Sequence, residues 1–169
     1  MRDRTASSPR AAPLDGDGVS AQPGGFSSHR CTFTIPGPPV AWARARTRGG
    51  LFFTAPKQRQ SKTSIAWTAR AAMGRRSPFC GAIVLTVRAF FAIPKSWPKW
   101  MQREAIEGRR HPTGKPDWDN LGKQLGDALN GVVWIDDAQV VGGSVHKHYD
   151  AEARTEVEVY EVITEEVIR

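Results

Sequence analysis

Twelve residues near the middle of the chain, Ala82 to Ile93, constrain the fold more than any other stretch. Ile83, Leu85, Val87, Ala89, Phe91 and Ile93 fall on alternate positions, with Val84, Thr86, Arg88 and Phe90 between them. Side chains alternate across a strand, so the first set forms one apolar face that another layer must cover. Pro94 brings no amide to a ladder and ends the run. The chain is therefore built around a sheet.

Shorter signals fill in the rest. Cys31 to Ile35 alternates and stops at Pro36-Gly37-Pro38-Pro39, a second strand. Leu51-Phe52-Phe53-Thr54 after Gly49-Gly50 reads as the return strand of a hairpin. A helix is expected from Pro56 to Met73, burying Ile65, Ala69, Ala72 and Met73 and ending at Gly74-Arg75-Arg76. A short helix fits Trp97 to Gly108, followed by a basic loop through Arg109, Arg110, His111 and Lys115. Another helix fits Trp118 to Asn130, burying Leu121, Leu125, Ala128 and Leu129, with Asn130-Gly131 as its stop. After the short apolar run Val132 to Ile135, strands are expected at Gln139–Tyr149 and Thr155–Ile163. Residues 1–29, rich in Ser, Pro, Gly, Ala and Asp, are expected to be a disordered tail.

Length and composition narrow the class. At 169 residues the chain suits one domain. No stretch reaches the roughly 18 apolar residues of a membrane-spanning helix, and the N-terminus has no apolar core of a secretory signal. Cys31 and Cys80 are too few for a disulfide framework or a zinc site, and both are expected to pack as small hydrophobes. A cytoplasmic location is the expectation.

Charge is strongly segregated. No acid occurs between Asp17 and Glu104, and residues 30–115 hold 17 bases against two acids, a net +15. Asp117, Asp119, Asp127, Asp136 and Asp137 then follow within 21 residues, and from Asp150 onward seven acids face two bases. Such segregation suits a polyanion such as nucleic acid, whereas a merely soluble surface mixes signs. Arg44, Arg46 and Arg48 at every second position share one side of an extended chain and are candidate DNA contacts, with Arg109, Arg110 and Lys115.

The chemistry concentrates in Lys115-Pro116-Asp117-Trp118-Asp119-Asn120-Leu121, continuing to Lys123, Asp127 and Asp136-Asp137. Pro116 disfavours a helical Lys115, so Asp117 and Asp119 lie at or before the first turn of the following helix. Asp119, Lys123 and Asp127, four apart, share one helical face. Mg²⁺ usually takes one or two carboxylates plus waters and substrate phosphates, activates water and stabilises phosphate charge. Asp117, Asp119 and one of Asp136 and Asp137 are candidate ligands, with Lys123 placed for a phosphate or an attacking water. Adjacent strand residues face opposite ways, so Asp136 and Asp137 are not both expected to bind the ion. The plainer account makes Asp117 or Asp119 an N-cap, Lys123 and Asp127 a surface salt bridge, and Asp136-Asp137 a turn.

The 26 residues KPDWDNLGKQLGDALNGVVWIDDAQV resemble the signature of the RusA family of Holliday-junction resolvases. The likeness extends through PGPPVAWARARTRGGLFFT, the HPTGKPD approach, and Lys147 and Tyr149, covering roughly residues 31–163. It implies an α+β domain with a mixed β-sheet and two main helices, and an Mg²⁺-dependent, homodimeric endonuclease, with Mn²⁺ as a substitute metal. Its partner would be the branched DNA of four-way junctions, in a bacterial or phage-infected cell. By the match Asp117, Asp119 and Asp137 are metal-binding catalytic aspartates and Lys123 the catalytic lysine. Asn120, Asp127 and Asp136 support them.

Other readings are weaker. A basic DNA-binding module with structural aspartates is the runner-up, and an RNA-directed nuclease a third possibility. His146 and His148 lack the further ligands zinc needs. Trp97, Trp100, Trp118 and Trp134 are expected mostly in packing, with Trp118 the best candidate for stacking on a base.

Overall fold

In the computed structural model, which describes residues 26–43, 46–48, 51–53 and 56–162, the alternating segment is strand β4, Ala82–Ala92. It lies inside a four-stranded sheet with β1 (Phe26–Pro36), β5 (Val140–Asp150) and β6 (Arg154–Val162), in the order β1-β6-β4-β5. β6 runs antiparallel to both neighbours, while β4 and β5 are parallel, so the sheet is mixed. A small antiparallel hairpin, β2 (Arg46–Arg48) with β3 (Leu51–Phe53), stands apart from it.

Register explains which side is buried. Phe33, Val157 and Val87 lie in one cross-strand row and Cys31, Val159 and Leu85 in the next, all buried. The rows between are polar: Thr34, Glu156, Arg88 and His146, then Thr32, Glu158, Thr86 and Ser144. Helices α1 (Pro56–Met73) and α3 (Trp118–Leu129) cover the apolar face, and the other face carries the charges. α1 buries Ile65, Ala69 and Met73, with Ala72 partly buried, and α3 buries Leu121, Leu125, Ala128 and Leu129, as the periodicity predicts. Gly74 at φ 60° and Gly131 at φ 72° follow the two helices in the left-handed conformation that glycine adopts at little cost. A third helix, α2 (Lys99–Ile106), leads into the basic loop.

Three sequence expectations change. β1 begins at Phe26, five residues before the expected start, so part of the segment assigned to the tail is a strand; residues 1–25 lie outside the described residues. Asp136 and Asp137 are not in a strand: Val133 and Trp134 turn into the core, and a short 3-10 helix spans Asp137–Gln139. The turn assigned to this pair by the plainer account is what forms. Cys31 is buried, and burial raises its thiol pKa against the pull of Arg76, but Cys80 is exposed rather than packed. It stands just before β4, outside the covered face.

Among the described residues, Glu161 and His148 couple stability to acidification. Burial of Glu161 on β6 would raise its pKa, but the Gly81 amide (2.6 Å), His29 Nδ1 (2.6 Å) and the Cys80 amide (2.9 Å) together hold it below the usual range. His148 is pushed down by burial, then by His146, His111 and Arg88, with Glu156 pulling the other way. Each folded pKa lies below its unfolded value, so each group contributes stability above its unfolded pKa and loses it as pH falls. The thermal midpoint should drop on acidification in two stages, below about 6.5 and again below about 4.3. Glu161→Gln should flatten the second stage. A midpoint that rises between pH 7 and 4 would contradict this.

Candidate active site

Parallel neighbours need a crossover connection, and the chain from β4 to β5 supplies it through α2 and α3. That path lays α3 beside β5, and Lys147 of β5 ties down its approach by donating to the carbonyls of Gly114 (2.6 Å) and Pro116 (3.0 Å). The Lys115–Pro116 bond within this loop is cis. Asp117 is the α3 N-cap, with extended backbone (φ −70°, ψ 148°), yet its side chain makes no capping hydrogen bond. Its carbonyl accepts from the Leu121 amide. Capping therefore does not account for the Asp117 carboxylate.

Asp119 sits in the first turn of α3, where the helix dipole favours negative charge, and is exposed. One turn on, Lys123 holds its ammonium 3.8 Å from the centre of the Trp42 ring, a cation–π contact. Trp42 is itself placed by its amide, which donates to the Asn120 carbonyl at 2.8 Å. The Pro-rich segment after β1 thus runs alongside the first turns of α3.

Asp137 comes from the turn before β5. Its Oδ1 accepts from Trp134 Nε1 at 3.0 Å, and Trp134 is fully buried. Asp136 spends its side chain on the Ala138 amide (2.8 Å), while Gln139 Oε1 accepts from the amides of Ile135 and Asp136 (2.8 Å each). Gln139 Nε2 anchors this turn to the carbonyls of Phe79 (3.1 Å) and Gly81 (2.8 Å). Both are exposed, but Asp136 is a capping residue and Asp137 alone of the pair faces the cavity between α3 and β5. Trp134 packs in the core as expected, but its hold on Asp137 and the role of Gln139 have no counterpart in the sequence reading, although Asp136-x-x-Gln139 has the spacing of a capping box.

These elements enclose a cavity of about 360 Å³ between α3 and β5, lined by Asp119, Lys123 and Asp137 with Trp118, Trp134, Leu85, Val140 and Val145. A second cavity, about 460 Å³, opens on the other side of Asp119 and Lys123 and is lined by Trp42, Ala43 and Asn120. Asp119 and Lys123 therefore form a wall shared by both. A third, about 390 Å³, lies between β1, α1 and α3, but no charged residue lines it, so it has no means of acting on a phosphate.

Not every expected residue joins this site. Asp117 and Asp127 do not line the cavity, and among the described residues no group of three His, Cys, Asp or Glu is arranged to hold a metal. What converges is a pair of carboxylates and a lysine. Arg44 lies outside the described residues, and Arg46 and Arg48 fall in β2 opposite Phe53 and Leu51. Arg109 pairs with Glu107, and Arg110 donates to Glu104 (3.0 and 3.3 Å) near the rings of Trp97 and Trp100. Both arginines are thus partly neutralised within their own loop, whereas Lys115 is exposed. His146 and His148 stack on the open sheet face, His148 against Phe90.

Two comparisons bear on these residues. The sequence model of the family described as Endodeoxyribonuclease RusA matches residues 36–160, a span containing every residue of the cavity. An uncharacterised Bacillus subtilis (strain 168) protein, YqaN, is 36% identical over 137 residues, covering 77% of this chain and 95% of its own length.

Proposed function

The chain belongs to the RusA family of endodeoxyribonucleases, and from that premise we propose that it resolves four-way DNA junctions by Mg²⁺-dependent hydrolysis of a phosphodiester at the α3–β5 cavity. The observation that carries this reading is the meeting of Asp119, Asp137 and Lys123 on one cavity, although 14 residues separate Lys123 from Asp137 in sequence. Alternative roles as cap or surface salt bridge leave that convergence unexplained.

The donor set suits Mg²⁺ in its usual mode. Two accessible carboxylates leave the remaining positions to waters and phosphate oxygens, so a closed protein cage is not required. Asp119 and Asp137 would hold the ion, with Asp117 at the adjacent N-cap as a further oxygen donor; Mn²⁺ offers similar oxygen-seeking chemistry. Such an ion supplies Lewis-acid stabilisation of phosphate charge and makes water a better nucleophile. The chain does the rest. Trp134 fixes one oxygen of Asp137 and leaves the other for a cation. Trp42 restrains the Lys123 ammonium so that it meets a phosphate oxygen with little loss of freedom.

Two related strands must be nicked to resolve a junction, and each chain offers one such carboxylate pair, so the working form is proposed to be a homodimer. Recombination and repair in the cytoplasm of a bacterial cell form the matching biological setting. No helix among the described residues is long and apolar enough to cross a membrane.

A labelled synthetic junction and a linear duplex of the same sequence, each with and without Mg²⁺, test the proposal. Cleavage of the junction alone, and only with the ion, is expected. Metal-independent binding without product would favour a DNA-binding module instead, and faster cutting of matched RNA would redirect the substrate.

A further inference from the structure

A phosphate explains the rim of the α3–β5 cavity but not its interior. Leu85, Val140 and Val145 give it an apolar floor, and Trp118 stands on its wall at 64% exposure, far too open to be packing in the core. Gly126 adds a second oddity. It lies inside α3, where glycine is markedly less favourable than alanine. Yet a Cβ there would meet nothing within 4 Å, and its φ is not left-handed. Neither packing nor backbone strain demands glycine at this position; what it provides is open volume inside the cavity.

We propose that this cavity is a nucleobase subsite, which takes the base adjoining the scissile phosphate and stacks it on the Trp118 indole. The inference rests on the nuclease reading above. A nucleotide presents two chemistries a few ångströms apart, an anionic phosphate and a flat, uncharged aromatic ring. The cavity presents the complements in the same order, Lys123 and the cation-binding carboxylates at the rim, then an apolar floor and an indole face. At about 360 Å³ it falls in the size range of small-molecule sites. Extruding a base from a continuous duplex is unfavourable and is easiest where pairing or stacking is already interrupted. A branch point is such a place, so a site that must hold an unstacked base before cutting disfavours ordinary duplex.

The test combines two variants with two substrates. Trp118→Ala removes the stacking face, and Gly126→Leu fills the cavity from a position with room for a side chain and improves helix propensity. Each is assayed on a junction with intact nucleotides and on junctions abasic at either nucleotide flanking the scissile phosphate. On the intact junction both variants should lower kcat/KM by about 5- to 150-fold, the range for losing one stacked base. On the junction abasic at the seated nucleotide, wild type should fall by a similar factor and the variants should add nothing further. Equal extra losses on every substrate, or Gly126→Leu cutting at wild-type rate, would overturn the subsite. Wild type failing to cut the intact junction would instead sink the nuclease reading, and the subsite with it.

Discussion

Asp137→Asn should abolish junction cleavage, by at least about 100-fold, while junction binding persists. The magnitude is that of losing one preorganised electrostatic stabiliser of the transition state, here the cation the carboxylate would hold, which typically costs 10²–10³ in rate. The amide still accepts a hydrogen bond from Trp134 Nε1, so the turn and the buried indole should keep their places. Loss of negative charge beside a polyanion leaves affinity unchanged or higher. Asp119→Asn should behave alike, since its carboxylate faces the same cavity and takes no part in the core. A graded control comes from Trp134→Phe, which keeps a smaller aromatic ring in the core and deletes the N–H; losing such a supporting partner usually costs 10- to 100-fold. Single-turnover cleavage together with a binding isotherm separates these outcomes. Either Asn variant cutting near wild-type rate would remove that aspartate from the proposed chemistry.

Mixed dimers provide the second large effect. Wild-type chains paired with Asp119→Asn chains should nick one strand of a plasmid-borne cruciform and stop at open circles, where wild type yields linear product. The qualitative change arises because the two sites would act on symmetry-related strands but draw their carboxylates from separate chains. Isolating the heterodimer by two affinity tags and resolving products on a gel decides it. A chain that stays monomeric in light scattering with junction bound, yet makes paired cuts, would refute the dimer.

Regular elements with a strong period could be read from the residues. β4 buries every second residue from Ile83 to Ala89 because one face meets two helices, and α3 displays its buried stripe because the other flank meets solvent and the cavity. Where one residue satisfies several unrelated backbone groups, periodicity carries no signal. Gln139 is such a case, joining the turn at Asp136 to carbonyls some 60 residues earlier, where the sequence reading treats Asp136 and Asp137 as neighbours on a strand. The site was partly legible for a related reason. Spacing puts Asp119 and Lys123 on one helix face, but only tertiary pairing brings Asp137 to them. Spacing likewise grouped Asp117 with Asp119, whereas Asp117 stands at the N-cap and is not among the residues lining the cavity.

The position of β6 has a consequence for how the molecule comes into being. This strand fills the gap between β1 and β4 and, among the described residues, is the sole sheet partner of β1. During synthesis, β1 and the β4–β5 pair must wait with their facing edges open until residues 154–162 emerge, and open edges invite pairing with other chains. Closing the sheet then joins segments more than a hundred residues apart, a topology that folds slowly. Assembly of the sheet is thus deferred until residues 154–162 have been made, and until then the nascent chain is open to aggregation.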